Sequence, residues 1–62
     1  MTIEEKIQLN KLIKKYEGTN TFISSLKKAL SSKYCKKEML DGKEFKVLSE
    51  KQYLAAKSTL GL

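Results

Sequence analysis

The 62-residue chain contains no histidine, arginine, proline or tryptophan, and its single cysteine is Cys35. One cysteine cannot form an internal disulfide, and a chain without histidine lacks the residue that most often carries protons in acid–base and nucleophilic catalysis. The glycine-rich phosphate-binding loop that ends in Gly-Lys-Ser or Gly-Lys-Thr is also absent. We therefore predict that the protein is not an enzyme by itself and that it uses no cofactor or metal.

Long hydrophobic runs are absent as well. No apolar stretch reaches the length of a signal peptide or of a membrane-spanning helix, so we expect a cytoplasmic protein without membrane contacts. A chain of about 60 residues buries only about 60% of its unfolded surface, which leaves room for a single core. The sequence thus predicts one small helical domain over residues 1–62, with no small-molecule ligand.

The net charge of +6 is concentrated in one segment. Residues 1–20 hold four lysines against three glutamates, and residues 38–62 hold four lysines against four acidic residues. The span 21–37 has five lysines and no acidic residue: Lys27, Lys28, Lys33, Lys36 and Lys37. A patch of one sign attracts phosphate backbones or acidic protein surfaces, so the sequence predicts an anionic partner.

The first predicted helix spans residues 3–17. Thr2 and Glu5 have the spacing of a capping box, in which each side chain satisfies a backbone N–H that the helix leaves unpaired. One buried face is indicated by the spacing of Leu9, Leu12, Ile13 and Tyr16. Gly18 suits the left-handed residue that ends a helix.

The second predicted helix spans residues 20–33, with Thr19 or Asn20 as its N-cap. Its apolar residues fall within one arc of a helix: Phe22, Ile23, Leu26, Ala29 and Leu30. Lys33 would project from that arc if the helix continued. We therefore expect the helix to end between Ser32 and Cys35.

The third predicted helix spans residues 50–60. Ser49 and Gln52 form a second capping box, and Leu48 can meet Tyr53 in a hydrophobic staple. Gly61 followed by Leu62 favours a Schellman end.

Residues 36–47 allow two interpretations. Asp41-Gly42 can form the two-residue turn of a β-hairpin, because both residue types tolerate positive φ. Since an isolated hairpin is marginal in water, the competing interpretation extends the second helix to Leu40, with Gly42 ending it and a loop following. The segment is thus either irregular or a short hairpin.

These elements predict an all-α fold, a small three-helix bundle with helices at about 3–17, 20–33 and 50–60. The predicted core consists of apolar residues from the three helices and of Leu48, which precedes the third: Ile7, Leu12, Ile13, Tyr16, Phe22, Leu26, Leu30, Leu48, Tyr53 and Leu54.

The lysine-rich span contains an aromatic residue, Tyr34. Lysines that follow phosphates and an aromatic ring on which a base stacks are the two parts of non-specific single-strand binding. The predicted nucleic-acid site is therefore Lys27, Lys28, Lys33, Tyr34, Lys36 and Lys37. The absence of arginine argues against base-specific recognition. The alternative is that the lysines form a solvated helix face and that Tyr34 closes the edge of the core.

Two motifs carry a resemblance to a known family. They are Asn20-x-Phe22-x-x-Ser25-Leu26-x-x-x-Leu30 and Leu48-Ser49-Glu50-Lys51-Gln52 with Ala56. The pattern, over about residues 20–58, resembles the small helical module associated with UvsW, the recombination helicase of T4-type phages, at the end of its gene or in an adjacent short reading frame. This chain departs from it by inserting residues 36–47 between the two motif helices.

The resemblance implies an accessory role in DNA recombination, repair or replication, beside a helicase and in the cytoplasm of a phage-infected bacterium. The helicase's ATPase motifs lie outside this chain. We thus predict a non-catalytic module that binds the sugar–phosphate backbone of single-stranded or branched DNA, assists a helicase, or does both. The alternative is an adaptor that docks on an acidic protein through the same basic face or through Met39, Leu40 and Phe45.

Overall fold

The computed structural model describes residues 1–62 and contains three helices and one β-hairpin. In chain order the elements are α1 (Ile3–Lys15), α2 (Thr21–Ser31), β1 (Lys36–Leu40), β2 (Lys43–Val47) and α3 (Glu50–Leu60). Helix α1 is central, since it packs against α2, α3 and β2. None of the helices combines the length and the apolar composition that crossing a membrane requires. The predicted all-α three-helix bundle is therefore wrong, because a sheet forms part of the fold.

All three helices begin at the predicted caps. The Thr2 hydroxyl accepts a hydrogen bond from the Glu5 amide, and Asn20 rather than Thr19 caps α2. Ser49 and Gln52 form the complete capping box of α3. Each cap satisfies amides that the first helical turn leaves without a partner.

The helix ends differ from the prediction in two cases. Helix α1 ends at Lys15 and α2 at Ser31, each two residues before the predicted end. Ser32, which follows α2, is already extended. Helix α3 ends in a Schellman motif, in which the Leu62 amide donates to the Lys57 carbonyl and the Gly61 amide to the Ser58 carbonyl. Gly61 has the positive φ of 76° that this motif requires.

Of the two interpretations of residues 36–47, the structure shows the β-hairpin. Its turn residues Asp41 and Gly42 have φ values of 53° and 76°, as a type I′ turn demands. Pairing is antiparallel, with Lys36 opposite Val47, Glu38 opposite Phe45 and Leu40 opposite Lys43. These residues lie on one face, and Phe45 and Val47 are its more buried members on β2. Packing on the helices thus supplies the support that an isolated hairpin lacks.

The core differs in part from the predicted set. Ile13, Leu26, Leu30, Leu48 and Tyr53 are buried as predicted. Four further residues are buried that the predicted set omitted: Leu9, Ile23, Val47 and Ala56.

Five members of the predicted core are not buried. Ile7 and Leu12 are half-buried, Tyr16 and Phe22 are exposed, and Leu54 is 59% exposed. Tyr16 lies beyond the end of α1. Leu54 follows the buried Tyr53 and therefore points about 100° away from the stripe that Tyr53 and Ala56 form on α3.

Candidate nucleic-acid interface

Tyr34 lies in the turn between α2 and β1 and is 84% exposed. The Ser32 hydroxyl accepts a hydrogen bond of 3.1 Å from the Tyr34 amide, which fixes the turn. The Lys33 ammonium nitrogen lies 5.2 Å from the centroid of the Tyr34 ring. The ring therefore does not close the edge of the core, and one of its faces has a cation beside it.

The lysines of the predicted site differ in their surroundings. Lys27 Nζ lies 3.8 Å from a Glu17 carboxylate oxygen, and Lys37 Nζ lies 3.8 Å from one of Glu44. Both pairs are solvent-exposed, so each contributes little and is screened by salt. The span that contains no acidic residue in sequence thus has two carboxylates beside it in space.

The other three lysines of the site, Lys28, Lys33 and Lys36, are exposed and have no carboxylate within 4 Å. Lys33, Tyr34, Lys36 and Lys37 follow one another through the turn into β1, whereas Lys27 lies beside Glu17 of the α1–α2 connection. The predicted residues therefore divide into a pair on α2 and a group at 33–37 that is continuous along the chain, with Lys36 and Lys37 on opposite faces of β1.

The hairpin adds basic residues that the sequence reasoning did not select. Lys46 lies directly opposite Lys37 in the register, on the solvent face. Lys46 also lines, with Lys11 and Lys14 of α1, a depression of about 310 Å³ between α1 and β2. In the sequence, Asp41-Gly42 is the signal that could have identified Lys46. A two-residue hairpin loop sets the register and so places Lys46 opposite Lys37.

A second depression, of about 320 Å³, lies beside Tyr34 and is lined mainly by apolar side chains. Ala29, Val47 and Leu48 contribute to its walls, and Lys36 lies at the same site. Cys35, which is half-buried there, donates from its thiol to the Val47 carbonyl at 3.2 Å. An exposed ring next to an apolar recess and a lysine can accept a planar base against the ring and a phosphate at the ammonium group.

The one acidic residue of β1 is paired. Glu38 receives a hydrogen bond of 2.6 Å from Lys6 of α1. This hydrogen bond is the main cause that raises the pKa of Lys6 above its ordinary value. The carboxylate of Glu38 is thereby compensated, and the charge that β1 presents is that of Lys36 and of Lys37 with its exposed Glu44 pair.

Comparison of the chain with protein-family models, with curated proteins and with solved structures yields no match. The similarity to a helicase-associated module therefore stays a prediction from the two sequence motifs.

Proposed function

We propose that the protein is a non-catalytic module that binds the sugar–phosphate backbone of single-stranded or branched DNA, with residues 33–37 as the contact segment. The observation that carries this proposal is the 84% exposure of Tyr34 within a run of lysines. Leaving a large aromatic side chain in water forgoes the free energy of burying it. A base that stacks on the ring provides that burial.

The charges support backbone contact rather than base reading. Lys33 and Lys36 flank Tyr34 and are free of carboxylate partners, and Lys37 has only a long pair with Glu44. Lysine ammonium groups neutralise phosphates without distinguishing bases. If about three lysines each neutralise one phosphate of a single strand, the slope of log K against log salt is roughly −2.

Fluorescence anisotropy with labelled oligothymidine and with forked DNA tests the role of Tyr34. We expect the Tyr34→Ala variant to bind about tenfold more weakly, since stacking contributes about 1–3 kcal/mol per base. The Tyr34→Phe variant keeps a ring and should bind like the wild type. Equal binding by all three proteins, or no binding at low salt, would contradict the proposal.

A matched pair of charge variants separates a local site from net charge. Lys36→Gln and Lys57→Gln each remove one charge, but Lys57 lines a different depression, with Glu4 and Glu5. We expect Lys36→Gln to make the salt slope shallower by about 0.7 and Lys57→Gln to leave it unchanged. Equal effects of the two changes would show that binding follows net charge alone.

A further inference from the structure

The two edges of the hairpin differ in how their peptide groups are satisfied. In a hairpin with a two-residue loop the residues that flank the turn form a hydrogen-bonded pair, and pairs then alternate along the ladder. Leu40 and Lys43 flank the turn here, so Glu38 and Lys36 are also in hydrogen-bonded pairs. The peptide groups of Lys37 and Met39 consequently point away from β2, toward solvent.

The opposite edge of the sheet, on β2, contacts α1. The outward carbonyl of Lys46 on β2 accepts a hydrogen bond of 2.8 Å from the side-chain amide of Asn10 in α1. Strand β1 pairs only with β2, and no other group of the chain bonds to the peptides of Lys37 and Met39. Two donors and two acceptors in extended geometry are thus free on the edge of β1.

We propose that the free edge of β1, at Lys37 and Met39, docks an acidic, extended peptide segment of a partner protein as a third strand. Main-chain hydrogen bonds to an exposed sheet edge are an established mode of peptide binding. This site is additional to the nucleic-acid function and does not rest on it.

Charge decides which strand the edge accepts. Lysines on an edge repel a second basic strand. Glu38 is paired with Lys6, Lys36 has no carboxylate within 4 Å, and Lys37 has only an exposed pair with Glu44 at 3.8 Å, so the net charge of β1 is positive. A second copy of this chain would bring those lysines against each other. A strand with acidic side chains gains both the hydrogen bonds and the attraction.

The test uses a synthetic peptide that alternates glutamate and valine, titrated by calorimetry into the wild type and two variants. Met39→Pro removes the outward N–H, and proline is tolerated where an edge amide faces solvent. Met39→Ala is the matched control, since the Met39 side chain is 59% exposed. We expect Met39→Ala to bind like the wild type and Met39→Pro to bind at least about tenfold more weakly.

A fully N-methylated form of the same peptide keeps the charges but cannot donate hydrogen bonds, and it should not bind. Equal binding of both peptides, equal binding by both variants, or no binding of the first peptide would overturn the proposal. Oligonucleotide affinity should be the same for Met39→Pro and Met39→Ala, so this site and the nucleic-acid site can fail separately.

Hydrogen exchange on the wild type gives a result that does not depend on the folding of a variant. In the free protein the Lys37 and Met39 amides should exchange fast, whereas the Glu38 and Leu40 amides are protected by pairing with β2. Saturating peptide should slow exchange at Lys37 and Met39 specifically. Unchanged exchange at these two amides would contradict docking at this edge.

Discussion

Two tyrosines of this chain have opposite surroundings. Tyr53 is fully buried, its hydroxyl accepts a hydrogen bond from the Leu48 amide at 2.9 Å, and it donates one to the Asn10 side chain at 2.7 Å. Tyr34 is 84% exposed, and its ring is contacted by a lysine. The same residue type thus joins α1 to α3 at one place and is available to a ligand at the other.

The surroundings of Tyr53 and Tyr34 differ in how many of their groups have a partner within the chain. Around Tyr53 every polar group has a partner, and Asn10 extends the network to the Lys46 carbonyl, so α1, β2 and α3 are tied together. Around Tyr34, Lys33 and Lys36 have no carboxylate partner, the ring is contacted only on the side of Lys33, and the edge of β1 is unpaired. Satisfied groups hold a fold together, whereas unsatisfied ones are where a ligand gains free energy.

The largest expected effect is a difference in the stability of the alanine variants of the two tyrosines. Tyr53→Ala leaves a cavity in the core and should lower the free energy of unfolding by about 3–5 kcal/mol, enough to unfold much of a small domain. Tyr34→Ala should change it by less than about 0.5 kcal/mol. Urea denaturation followed by circular dichroism measures both, and similar losses for the two variants would contradict the comparison.

Removing only the buried hydroxyl tests the hydrogen bonds of Tyr53 separately from its packing. Tyr53→Phe leaves the Leu48 amide without its acceptor in the buried junction, so we expect a loss of about 1–3 kcal/mol. Tyr34→Phe removes a hydroxyl from an exposed ring and serves as the control. If Tyr53→Phe were as stable as the wild type, the hydrogen-bond network would contribute nothing to the fold.

A change in the hairpin turn, which sets the pairing of β1 with β2, should cause a smaller loss of stability. Gly42 has a φ of 76°, which an alanine adopts at a cost of about 1–2 kcal/mol. No atom lies within 4 Å of where the added methyl group would be, so strain in the backbone is the only penalty. Gly42→Ala should lower the urea midpoint accordingly. Gly42→Asn tolerates this φ better and should lower it less.

The smallest expected effect is a dependence of stability on alkaline pH. Burial raises the pKa of Tyr53, and the bond to Glu38 raises that of Lys6. The folded state therefore keeps these protons to higher pH than the unfolded state does, and the stability they give is present below about pH 10 and lost above it. The decline should be shallower for Tyr53→Phe. Parallel pH profiles of the two proteins would contradict this assignment.

Local signals in the sequence were sufficient for the helices and insufficient for their arrangement. The caps at Thr2, Asn20 and Ser49 are interactions over two or three residues, so the helix starts could be predicted. The hairpin depends on packing against α1, which no local pattern shows, so the sequence alone does not distinguish it from a continued helix. The exposure of Leu54 follows from which side of α3 meets α1, again a tertiary property.

The site was predictable to a similar degree. Tyr34, Lys33 and Lys36 are close in sequence and stay together in the fold, whereas Lys37 lies on the opposite face of β1 from Lys36. Glu17 and Glu44 approach Lys27 and Lys37 through the α1–α2 connection and the hairpin register, and a count of charges along the chain does not reveal them. The same holds for Lys46, which comes opposite Lys37 only when β1 and β2 pair.

The most direct test of the proposed role of Tyr34 and its lysines is a ¹H–¹⁵N NMR titration of the wild type with a short oligothymidine at low salt. The amides of residues 33–37 and the ring signals of Tyr34 should shift, while those of Tyr53 and Lys57 should not. Shifts that centre on α3, or an unchanged spectrum at saturating oligonucleotide, would contradict the account.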